Sequence, residues 1–195
     1  MAKARAITGL DMFAPVAKNA RLIAKARLEE LYQWEGAVDD PDNVRALHDM
    51  RIAAKRLRYT FEVFEEALPA TSGAIVQELT ELQDELGALH DSDVMIALLQ
   101  MRLSNQAGDT EMEARSGAKP ASVAAHKGKT LVSADMAAYL LDPGVSPTAK
   151  QQRGLEEFLH QQEDLRGQRF SAFRQHWRQL QERDFRREIL DVLGE

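Results

Sequence analysis

The chain has 195 residues, 44% of them hydrophobic, no cysteine and a formal net charge of −6. That length and composition support one folded domain with a real core rather than a disordered chain, and the absence of cysteine excludes disulfides and thiolate zinc sites. The acidic total argues against wholesale or sequence-specific nucleic-acid binding. No apolar run resembles a secretion signal or approaches the roughly 20 residues that cross a bilayer, so a cytoplasmic protein with no membrane partner is expected.

Residues 11–35 repeat apolar side chains at helical spacing (Phe13, Val16, Ala20, Ala24, Leu31, Trp34), with Asp11 placed to cap the helix. The run "GAVDDPDN" breaks it with turn chemistry. A second helix is expected from Asp42 or Asn43 to about Leu68, buried through Leu47, Met50, Ala54, Leu57, Phe61 and Phe64, before "PATSG" stops it. A third covers about 72–104 through Ile75, Leu79, Leu82, Leu86 and Leu89, with Gly87 and the polar "HDSD" predicting a kink or break near residue 90. Residues 105–150, rich in small and polar side chains, glycine and proline, read as a flexible insertion with a short helix at 133–141. The last helical region, 146–193, carries Leu155, Leu159, Phe170, Phe173, Trp177, Leu180, Phe185, Ile189 and Leu190, and bends at "QERD". No period-two pattern appears. The economical solution is an all-α fold, a four-helix bundle of long antiparallel helices forming one domain over 1–195.

The charges are segregated. Residues 1–27 carry six Lys/Arg against one acid, 44–60 five against one, and 163–187 seven against four, whereas 59–101 hold nine acids and no Lys or Arg. At about 100° per residue, the second helix places His48, Arg51, Lys55 and Arg58 in one line beside its apolar arc, with Arg56 pointing elsewhere. Lys18, Arg21 and Lys25 repeat that spacing on the first helix, and Arg166, Arg169 and His176 border the apolar arc of the last. Cations that border a core face a groove between helices, where an anion can sit. The competing reading is a solvated face, neutralised by ion pairs to the acidic third helix or to an acidic helix of a partner protein. His48, His90, Asp91 and Asp93 are metal-donor types, but no His-x-x-x-His pair or carboxylate–histidine helix motif joins them, and neither metal nor cofactor is expected. Phosphate-cradling glycine loops and nucleophile elbows are absent, so no catalytic residue is assigned.

Two stretches carry a family resemblance. "LHDMRIAAKRLRYTFEVF" (47–64) matches the pattern His-x-x-Arg-x-x-x-Lys/Arg-Arg-Leu-Arg at His48, Arg51, Lys55, Arg56, Leu57 and Arg58. "LQDELGALHDSDVMIALL" (82–99) matches Leu-Gly-x-Leu-x-Asp-x-Asp-Val at Leu86, Gly87, Leu89, Asp91, Asp93 and Val94. Both resemble the signature helices of CHAD domains, and the tail "LQERDFRREILDVL" (180–193) is similar to the end of a CHAD repeat. The resemblance implies a helical domain that binds inorganic polyphosphate without catalysis, with attachment to polyphosphate granules. It also implies two repeats, of which this chain holds roughly one; symmetric dimerisation would supply the missing half of the basic surface. The expected polyphosphate-binding residues are His48, Arg51, Lys55, Arg56 and Arg58, then Lys18, Arg21, Lys25, His90, Arg166 and Arg169.

Overall fold

A computed structural model describes residues 4–113 and 148–194. Among them every regular element is helical: α1 (Val16–Tyr32), α2 (Val44–Val63), α3 (Ser72–Glu113), α4 (Ala149–Glu182) and α5 (Phe185–Val192), with single 3-10 turns at Glu35–Ala37 and Glu65–Ala67. The fold is an all-α bundle. The chain divides into two compact units, one running up to His90 and resuming at Gly167, the other Asp91–Arg166. Of the expected insertion, residues up to Glu113 continue α3 and Ala149 already belongs to α4; the short helix expected at 133–141 lies outside the described residues.

The core lies in the first unit. Ala20, Ala24 and Leu28 of α1, Met50, Leu57 and Phe61 of α2, Leu79, Leu82 and Leu86 of α3, Phe173, Trp177 and Leu180 of α4, and Phe185 and Ile189 of α5 are all buried in one cluster. Each large apolar side chain removed from water contributes about 1.5–3 kcal/mol, which is why the spacing of these residues, rather than weak helix propensity, sets the fold. Tyr32 and Trp177 meet with ring centroids 5.4 Å apart.

Local chemistry sets the helix ends, and it corrects several expectations. Asp11 does not cap α1, which begins only after Pro15. Its Oδ1 instead accepts from the Phe13 N–H at 3.0 Å in a preceding turn, because the residue before a proline is driven out of helical conformation. Phe13 and Val16, expected in the core, are therefore 91% and 61% exposed. Asn43 does cap α2, its Oδ1 accepting from the Ala46 N–H at 3.2 Å. That helix ends at Val63 rather than Leu68, since Leu68 precedes Pro69 and takes an extended backbone. α3 runs unbroken through Gly87 and "HDSD". Those polar residues are not a loop: Ser92 and Asp93 are buried, and Asp93 pairs with Arg166 inside the second unit. The bend at "QERD" is present, with Asp184 in left-handed conformation (φ 54°) accepting from the Arg187 N–H to start α5.

Candidate functional site

The cations of α2 fall along one seam. At about 100° per residue His48, Arg51, Lys55 and Arg58 span roughly 80° of the helix circumference, and Gln83, Gly87 and His90 span roughly 60° of α3. The two lines meet in reverse order. Arg58 Nε donates to Gln83 Oε1 at 3.1 Å. Arg51 Nε lies 3.7 Å from where a β-carbon on Gly87 would stand. The His48 and His90 rings stack at 4.6 Å between centroids, tilted by 39°. The helices are thus antiparallel here, and the missing side chain at Gly87 leaves room for the guanidinium. Tyr59 closes one end of the line, with Lys55 Nζ and the Arg58 guanidinium over its ring at 5.3 and 4.8 Å.

Among the described residues no carboxylate of α3 lies within ion-pair distance of His48, Arg51, Lys55 or Arg58. Glu78 and Glu85 lie about half a turn away around the helix, toward α4. There His176 Nδ1 meets Glu85 at 2.8 Å, His176 Nε2 meets Glu78 at 3.4 Å, and Arg183 reaches Glu78 at 3.2 Å. The acidic helix spends these carboxylates on α4, not on α2. Among the described residues, Arg51 and Lys55 have no carboxylate within ion-pair distance, while Arg58 has Glu62 at 2.7 Å on its own helix. Arg51 Nε and His48 Nδ1 are buried polar atoms with no hydrogen-bond partner, a condition that costs about 1–3 kcal/mol each. His48 is held below the ordinary histidine pKa, first by burial, then by the neighbouring His90 and Arg51, with Asp49 opposing.

The other expected residues lie elsewhere. Arg56 turns away to Glu30 of α1, 3.7 Å away, a buried carboxylate that also takes Arg27. On α1, Lys18 and Arg21 are exposed, and the Arg21 guanidinium sits 4.0 Å from the β-carbon position of Gly194; Lys25 is half-buried. Arg169 donates to the Ala88 carbonyl at 3.0 Å, from the α4 side of α3. Arg166 belongs to the second unit, paired with Asp93. One seam therefore gathers His48, Arg51, Lys55, Arg58 and His90, and the remaining cations are not brought into it. Gln83 was missed from the sequence, although the helical projection applied to α2 places it on one face with Gly87 and His90. Among the described residues no three histidine, aspartate or glutamate side chains converge as a metal-holding cluster, and no helix is long and apolar enough to cross a membrane.

The class of protein is an all-α bundle in which, among the described residues, Arg51 and Lys55 have no carboxylate within ion-pair distance. The CHAD domain family model matches residues 5–100, so the chain carries a CHAD domain over that stretch, which spans α1, α2 and the part of α3 that faces α2. CHAD domains are associated in general with polyphosphate binding. The match stops within α3, so the tail at 180–193 lies outside it. No curated protein and no solved structure matches the chain.

Proposed function

We propose that the α2–α3 seam binds inorganic polyphosphate and leaves the polymer intact, attaching the protein to polyphosphate granules. One observation carries the reading: in a chain with net charge −6, Arg51 and Lys55 stand without a carboxylate partner among the described residues, on a line whose facing residues are Gln83, Gly87 and His90. From His48 to Arg58 the line rises about 15 Å, several phosphate spacings of an extended polyanion. Each cation that meets a phosphate releases condensed counterions, and an arginine adds bidentate hydrogen bonds to phosphate oxygens. A phosphate oxygen would also satisfy Arg51 Nε, recovering the cost of its burial.

The test is a titration with polyphosphate at two salt concentrations, on the wild-type chain and on Arg51→Ala with Lys55→Ala. Affinity should fall steeply with salt in the wild type. The double substitution should weaken binding at moderate salt and lower the salt slope by about 0.7 per lost phosphate contact. Unchanged affinity removes the seam as the site. Incubation with polyphosphate and a divalent metal should release no phosphate. A seam built instead for an acidic protein helix would leave the melting temperature unmoved by long-chain polyphosphate.

A further inference from the structure

Lys55 is the cation of the seam with the fewest ties. Among the described residues its ammonium has one partner, the ring of Tyr59, at 5.3 Å from Nζ to the centroid. The Arg58 guanidinium stands over the same ring at 4.8 Å. Two like charges thus share one aromatic side chain. Side chains of an α-helix lean toward its N-terminus, so the ring of Tyr59 lies back over the turn that carries Lys55, four residues earlier. Tyr59 is 44% exposed and lies outside the core cluster, so packing in the interior does not account for where it sits.

The ring does for these cations what a carboxylate cannot. An aromatic face attracts a cation through its quadrupole but carries no net charge. It therefore holds Lys55 and Arg58 in place and leaves their positive charge to act on a third group. Their donors stay largely free as well. An ammonium has three N–H groups and a guanidinium five, of which Arg58 gives one to Gln83 and one to Glu62. A lysine moving freely in solvent gives up rotamer freedom when it meets a phosphate. One that already rests on a ring gives up less, and the difference appears as affinity. The repulsion between the two cations, offset by the ring in the free protein, is relieved further when an anion joins them.

We propose that Tyr59 is a positioning residue of the polyanion seam, acting through Lys55 and Arg58, which it keeps in place and fully charged for the phosphate chain. This role rests on the reading of the seam as a polyphosphate site, and the experiment separates the two. Titrations with long-chain polyphosphate are run below the melting temperature of each variant. Tyr59→Leu should weaken binding by about five- to tenfold, the worth of two exposed cation–π contacts. Its salt slope should match the wild type, because the same cations still meet phosphates, whereas Lys55→Ala should lower the slope. Tyr59→Phe, which keeps the aromatic face, should bring affinity back to within about twofold of the wild type. In a Lys55→Met background, Tyr59→Leu should cost markedly less, since part of what the ring holds is gone. Without any ligand, the ring current of Tyr59 should move the NMR signals of the Lys55 methylene next to Nζ upfield, and Tyr59→Leu should abolish that shift. Wild-type affinity in Tyr59→Leu, a loss that Tyr59→Phe shares in full, or unshifted Lys55 signals would overturn the role and leave the seam standing. A wild-type chain that fails to bind polyphosphate would overturn the reading of the seam and this role with it.

Discussion

Arg51 of α2 lies along Gly87 of α3, its Nε 3.7 Å from the position a β-carbon there would occupy. An alanine at that distance makes ordinary van der Waals contact, whereas a longer side chain displaces the guanidinium. Gly87→Ala should therefore keep polyphosphate affinity and raise stability by up to about 1 kcal/mol through helix propensity. Gly87→Leu should weaken binding about as much as Arg51→Ala. Titration and thermal melts on the two variants check this, and equal affinity for both would show that the close approach has no bearing on binding.

Gln83 is the neutral partner of Arg58 on α3, while Glu62 of its own helix is the carboxylate partner. Gln83→Glu should give Arg58 a second carboxylate beside Glu62, part-buried, and leave stability unchanged or higher by about 0.5–1 kcal/mol. The same change puts a negative charge beside the polyanion, and affinity should drop several-fold. Opposite signs in the melt and the titration separate an electrostatic role from a structural one; a parallel loss in both would refute it.

How much of this was legible in the sequence depended on distance along the chain. The helical period of Leu47, Met50, Ala54, Leu57 and Phe61 is local, and all five are buried in α2, although that helix ends at Val63, short of the expected Leu68. The start of α1 was missed because Asp11 and Pro15 offered competing signals, and the backbone restriction imposed by proline won. "HDSD" looked like a break because a polar run in a loop and a buried polar run read alike. What distinguishes them is Arg166, 73 residues from Asp93. The decisive property of the seam, that Gln83, Gly87 and His90 rather than Glu78 and Glu85 face α2, depends on the register between two helices, which no single helix encodes.

The pairing of Arg166 with Asp93 makes this arginine a structural residue of the second unit. Side-chain exposure is 14% for Arg166 and 5% for Asp93, so removing Arg166 leaves the Asp93 carboxylate with little water around it, and removing Asp93 takes a charged partner from a largely buried guanidinium. Asp93→Asn and Arg166→Ala should each destabilise by about 3 kcal/mol, and Arg166→Met with Asp93→Leu by much less than the sum. Polyphosphate affinity and salt slope should stay unchanged in any of these variants that remain folded, as measured below the melting temperature. A reduced salt slope for Arg166→Ala would return this residue to the binding surface.

Two histidines give stability opposite dependences on pH. Burial, then His90 and Arg51, lowers the pKa of His48 from 6.5, so the unfolded chain binds more protons there and stability falls as the pH drops from 6.5 through the lowered value. At His176 burial also opposes the charge, but the hydrogen bonds and charges of Glu85 and Glu78 together outweigh it and raise the pKa above 6.5. Its contribution is fully present below 6.5 and is lost as the pH rises through the raised value. Melting temperatures between about pH 5 and 8 should peak near the ordinary histidine pKa. His48→Gln should flatten the acid limb, and His176→Gln should flatten the alkaline limb while lowering stability below it. Bound polyphosphate favours the charged form of His48, so acidification should tighten binding in the wild type and much less in His48→Gln. An acid limb that survives His48→Gln intact would move the effect to another group and leave the stacked pair with His90 a packing contact alone.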